Sequence, residues 1–108
     1  NVCTPGTNVM MYGDLILDHC IQSSSPFNFG EEWVVAEVVV NGNEVIYHIL
    51  NGDTVMQYQK PQLDERDVTY SKLIDLNGGD KMLSKGTISL QSEGHPIDFR
   101  KVELMILE

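Results

Sequence analysis

The sequence predicts an all-β fold, an antiparallel sandwich or barrel, and three observations carry that reading. Short β-branched or alternating segments recur along the chain, turn residues separate them, and no periodic stretch can be written as a helix of three turns or more. With 108 residues there is room for one domain and not for two. Apolar residues make up 42% but aromatics only 7%, so the core has to come from Val, Ile, Leu and Met.

The front of the chain reads as a hairpin. Asn8-Val9-Met10-Met11-Tyr12 and Leu15-Ile16-Leu17 flank Gly13-Asp14, which sets Cys3 and Cys20 on the outer arms at about the same level. Ser23-Ser24-Ser25-Pro26 is a loop. Trp33 to Val40 is apolar on both faces except at Glu37, the pattern of a central strand covered on both sides. Asn41-Gly42-Asn43 turns the chain into a second strand, Glu44 to Leu50. There Val45, Tyr47 and Ile49 share one face, and Ile46, His48 and Leu50 share the other. Asn51-Gly52 is the strongest short hairpin signal, because both central positions of a type I′ turn need positive φ. Thr54 to Tyr58 then returns, completing a three-stranded meander.

Lys60 to Leu83 is polar and punctuated by Pro61 and Asn77-Gly78-Gly79-Asp80, which predicts a long surface excursion with one short helical turn. Gly86 to Gln91 alternates with period two, Ser92 to Pro96 is a turn, and Ile97 to Leu107 is the last expected strand. Its phase changes between Ile97/Phe99 and Val102/Leu104/Ile106, so a β-bulge is expected near Arg100-Lys101.

Composition excludes several functions. Seven basic against sixteen acidic residues give a net charge of -9, which argues against binding nucleic acid or anionic lipid. No run of about 18 apolar residues exists to insert in a membrane. The opening residues, Asn1 to Gly6, have neither the basic nor the apolar region of a signal peptide, and the chain reads as a piece of a longer protein. Phosphate-loop, dinucleotide-binding and EF-hand motifs are absent. The two cysteines lie outside any CxxC pair and leave two readings open: one disulfide closing a loop of about 18 residues, worth roughly 3 kcal/mol, or two buried thiols.

The stretch Gly86-Thr87-Ile88-Ser89-Leu90-Gln91-Ser92-Glu93-Gly94-His95-Pro96-Ile97-Asp98-Phe99-Arg100 resembles the C-terminal signature of the 3-keto-disaccharide hydrolase domain family. Trp33 to Val38, His48 to Gly52, Cys3 to Val9 and His19-Cys20 are similar to further family segments. The resemblance implies a two-sheet jelly roll of the concanavalin or glucanase kind, of which this chain is the C-terminal half. It also implies a glycosidase-like hydrolase cleaving 3-keto-glycosides, a saccharide ligand, and a bacterial periplasmic or secreted location. A half-domain leaves apolar strand faces to be covered by the N-terminal half or by a second copy, a homo-oligomer. The alternative function is a non-catalytic carbohydrate-binding or protein-interaction sandwich.

A keto group at C3 acidifies the hydrogen at C2, so a base can remove it and expel the C1 substituent. That chemistry needs a general base near neutral pKa and a cation, donors or a divalent metal ion to hold the enolate. His48 and His95 are the candidate bases, with Glu93 beside His95 at a turn on the sheet rim. Glu37 interrupts an apolar strand and needs solvent or a partner; it either pairs structurally with Arg100 or binds substrate with it. Trp33 serves as a sugar-stacking platform or as core. Asp18-His19-Cys20 spells a nucleophile triad, but neighbours on a strand point to opposite faces. The Glu-x-Asp-x-Glu motif of one class of retaining glycosidase is absent.

Overall fold

The computed structural model describes residues 1–26, 31–92 and 94–107. It is mostly β, with a five-stranded and a two-stranded antiparallel sheet and one short helix. The strands are β1 (Val2–Cys3), β2 (Thr7–Met11), β3 (Asp14–Ile16), β4 (Cys20–Ile21), β5 (Ala36–Asn41), β6 (Val45–Leu50) and β7 (Asp53–Leu63); the helix α1 is Tyr70–Leu76. The large sheet runs β3-β2-β7-β6-β5, and β1 pairs with β4 in the small one.

Turn chemistry sets the two tightest hairpins. Tyr12 and Gly13 have φ of 51° and 84°, and Asn51 and Gly52 have 48° and 88°, the paired positive values of type I′ turns. These turns place Met11 opposite Asp14 and Leu50 opposite Asp53.

The core lies on one face of the large sheet. Val9, Ile46, Met56 and Tyr58 are buried there, and Val2, Met11, Ile16 and Ile21 pack against them. Val2 and Ile21 belong to the small sheet, which therefore covers part of this face. Cys3 and Cys20 face each other across β1 and β4 and form the disulfide, as the front hairpin's geometry suggested.

Strand β7 is longer than the expected Thr54 to Tyr58 because it bends instead of stopping. Lys60 takes a left-handed φ of 49° next to Pro61, where the pairing with β2 slips by a residue. The Pro61 carbonyl accepts from the Leu83 N–H at 2.8 Å, so the polar excursion returns to the strand it left. The helix inside that excursion has two turns and no buried residue.

Two expectations fail. The apolar run from Trp33 is an edge strand, not a central one: only Ala36–Asn41 pairs, on one side, and Val38 and Val40 are about two-fifths exposed (44% and 41%). A continuous apolar run marks a strand meant to be covered on both faces, and the described residues supply that cover only near β2. Likewise Gly86 to Gln91 and Ile97 to Leu107 form no strand, and the bulge at Arg100-Lys101 has no ladder to interrupt. Their apolar side chains, Ile88, Leu90, Ile97, Phe99, Val102, Leu104 and Ile106, are all exposed. Alternation prepares a segment to pair; it does not provide the neighbour.

Candidate functional site

His48 sits at the centre of β6, opposite Val38 of β5 and Met56 of β7. A two-residue turn at Asn51-Gly52, continued without interruption, would have put Val55 opposite His48 and turned Tyr58 to the other face. Instead the register shifts by one between His48/Met56 and Ile49/Thr54, leaving Val55 as the extra residue of a β-bulge. The Val55 carbonyl accepts from the Ser24 backbone N–H at 2.9 Å. The shift brings Met56 and Tyr58 onto the face of His48.

The consequence is a hydrogen-bonded pair. The His48 Nε2 and the Tyr58 hydroxyl are 3.0 Å apart, and the rings meet edge to face with centroids 5.4 Å apart. Burial pushes the His48 pKa below its ordinary value and that of Tyr58 above its own. Both groups are therefore neutral near pH 7, and in the tautomer whose Nε2–H donates to the Tyr58 oxygen the Nδ1 lone pair is left to accept a proton. A neutral imidazole can accept a proton, and a phenol can orient it or return one. Beside them the sheet face opens onto the exposed Val38 and Val40.

The remaining candidates do not gather around His48. Glu37 pairs with Ile49, so it lies on the face of the sheet opposite His48. Arg100 is not the partner of Glu37. Its guanidinium stacks 4.5 Å from the centroid of the Trp33 ring, a cation–π contact that occupies one face of an indole that is 54% exposed. His95 is exposed, with its Nδ1 3.2 Å from the Pro96 carbonyl and its own carbonyl accepting from the Ser92 hydroxyl. Glu93 lies outside the described residues. Cys20 is committed to the disulfide, which removes the nucleophile from Asp18-His19-Cys20. Among the described residues no three His, Cys, Asp or Glu side chains gather as metal ligands, so the divalent ion admitted by the chemistry has no ligand set there.

Tyr58 is the residue that sequence reasoning missed. Its signal was the period-two pattern of Met56 and Tyr58, but the face that pattern occupies depends on a bulge that no turn residue announces.

The profile of the 3-keto-alpha-glucoside-1,2-lyase-like domain matches residues 10–105, which span the meander, the excursion and the C-terminal segment. Comparison with curated proteins and with solved structures returned no match. The match covers most of the 108 residues, and the chain belongs to the family of 3-keto-alpha-glucoside-1,2-lyase-like domains.

Proposed function

We propose that this chain is part of a carbohydrate-active domain that cleaves 3-keto-glycosides, with His48 as the general base. The observation that carries the reading is the His48–Tyr58 pair: a neutral imidazole, fixed by a phenol, on a sheet face of a family domain. His48 takes the C2 proton, the electron pair moves into the enolate at C3, and the C1–O bond breaks with departure of the aglycone. Addition of water to the resulting alkene completes a net hydrolysis. Tyr58 accepts from the Nε2–H and so holds the imidazole with Nδ1 as the atom that takes the proton. His95 and Glu93, and Arg100 with Trp33 as one stacked unit, are proposed as substrate contacts, whereas Glu37 faces away from His48.

The test follows release of the aglycone from a 3-keto-glucoside in D₂O. Release together with deuterium at C2 of recovered substrate or product is expected. Binding of the sugar with neither release nor exchange would replace this reading with a carbohydrate-binding module.

We further propose that the two sheets belong to a concanavalin-like jelly roll, a reading supported by the small sheet lying over the core face. The disulfide supports a periplasmic or secreted location. The exposed apolar segment 86–107 supports a strand-supplying partner, and a second copy is the one the chain provides by itself. Light scattering should then give at least twice the 12.1 kDa chain mass. A stable monomer with rapidly exchanging amides in 86–107 would overturn this.

A further inference from the structure

We propose that Asn41-Gly42, where β5 turns into β6, is a site of spontaneous covalent modification: Asn41 deamidates to aspartate and isoaspartate ahead of the chain's other two Asn-Gly pairs, and the change loosens the edge of the large sheet. In the reaction the Gly42 backbone nitrogen gives its proton to water and bonds to the Asn41 Cγ. The Cγ–Nδ2 bond then breaks, and ammonia leaves with a proton returned by the water. A second water opens the five-membered imide at either carbonyl. One opening restores the main chain and leaves an aspartate; the other routes the main chain through Cβ and Cγ. The balance is one water consumed and one ammonia released, with no oxidation or reduction. This chemistry is independent of the one proposed at His48.

The reaction needs an Asn side chain free to swing and a following nitrogen that no side chain shields. Asn41-Gly42, Asn51-Gly52 and Asn77-Gly78 all meet the second condition. Space does not separate them, because nothing lies within 4 Å of where a Cβ would stand on Gly42, Gly52 or Gly78. Hydrogen bonds do. Asn77 is held twice, its Nδ2 donating to the Asp80 carbonyl at 2.6 Å and to the Met82 carbonyl at 3.1 Å. Its nucleophile is also engaged, since the Gly78 N–H donates to the Asp75 carbonyl at 3.2 Å. Asn51 grips Val35 with side chain and main chain: its Oδ1 accepts from the Val35 N–H at 3.0 Å, and its own N–H donates to the Val35 carbonyl at 2.8 Å. Asn41 is exposed, and its Nδ2 makes one long bond, 3.3 Å, to Oε2 of the exposed Glu44. A solvent-exposed bond between two rotatable side chains restrains little. The Gly42 N–H donates to no group among the described residues.

Position gives the change its consequence. Asn41 faces Val45 in the last rung between β5 and β6, and among the described residues β5 has no second neighbour. A carboxylate at position 41 turns the donor to Glu44 into a like charge, and isoaspartate lengthens the main chain at that rung by a methylene. The other arm of the turn is anchored, since the Asn43 carbonyl accepts from the Lys60 N–H at 2.9 Å. The disturbance therefore falls on β5, where the next rung sets Val40 opposite the buried Ile46.

The full chain is held in warm, mildly alkaline buffer and digested at intervals, and the peptide carrying each Asn-Gly pair is followed by mass spectrometry. Asn41 should convert about tenfold faster than either Asn51 or Asn77, the worth of one well-made hydrogen bond that must open first. In concentrated urea the three rates should converge, because the dipeptide is the same. Asn41→Gln should abolish the early product. Asn41→Asp, a stable copy of one product, should speed amide exchange in residues 38–41 about two- to fivefold. The proposal is overturned if Asn51 or Asn77 converts first, if the native order persists in urea, or if Asn41→Asp leaves exchange in β5 unchanged.

Discussion

Replacing His48 with alanine lowers the turnover of a 3-keto-glucoside by about 10²- to 10⁴-fold, the range lost with a general acid or base. The effect should fall on kcat, because the proton is transferred only in the chemical step. Tyr58→Phe separates chemistry from folding, since it keeps the ring in the core and removes only the hydroxyl 3.0 Å from Nε2. It should cost about tenfold, the worth of one hydrogen bond to the reacting group. The pH profile supplies a second check. Burial lowers the His48 pKa, so kcat/KM should be flat near neutrality and fall on the acid side at a value below the ordinary imidazole pKa of about 6.5. The same shift ties stability to pH. The unfolded chain binds this proton more readily than the folded one, so the contribution is complete above about 6.5 and is lost as pH falls through the lowered folded value. Wild-type turnover in His48→Ala would move the chemistry away from this pair.

Removing the disulfide has the largest expected effect on stability. A Cys3→Ser/Cys20→Ser chain should lose about 3 kcal/mol, and its Tm should fall by roughly 10–20 °C. The small sheet has only two residues in each strand, and the disulfide joins one opposed pair of them. Without that link Val2 and Ile21 leave the core, uncovering Val9, Tyr58 and their neighbours. Thermal unfolding with and without reductant measures this directly. An unchanged Tm on reduction would show that the small sheet holds without its link.

Much of this architecture was legible because its determinants are local. Asn51-Gly52 fixed its hairpin through backbone conformations that few residues tolerate, the front hairpin turns one residue earlier than Gly13-Asp14, at Tyr12-Gly13, and the period-two pattern placed His48, Ile46 and Leu50 on one face. The spacing of the front hairpin set Cys3 level with Cys20. What stayed hidden depends on neighbours. The run from Trp33 encodes a strand fit for burial, whereas its position in the sheet depends on what pairs beyond it, and here it is an edge. The segments 86–91 and 97–107 alternate as strands should and find no partner among the described residues. For the site, His48 was readable as a candidate on the face of Ile46 and Leu50, but its hydrogen-bond partner Tyr58 was not. Glu37 and Arg100 were matched by charge, whereas the register and the Trp33 ring dispose of them separately.

The bulge at Val55 marks a place where β7 can change its length without turning its side chains over. Side chains along this strand can be exchanged one at a time, each at its own cost. Losing Val55 would restore the unbulged pairing and leave Met56 opposite His48 and Tyr58 opposite Ile46, both still in the core. Descendants of this chain can therefore lose a residue at Val55 and keep the core, whereas a deletion between Met56 and Tyr58 turns Tyr58 to the other face and is purged.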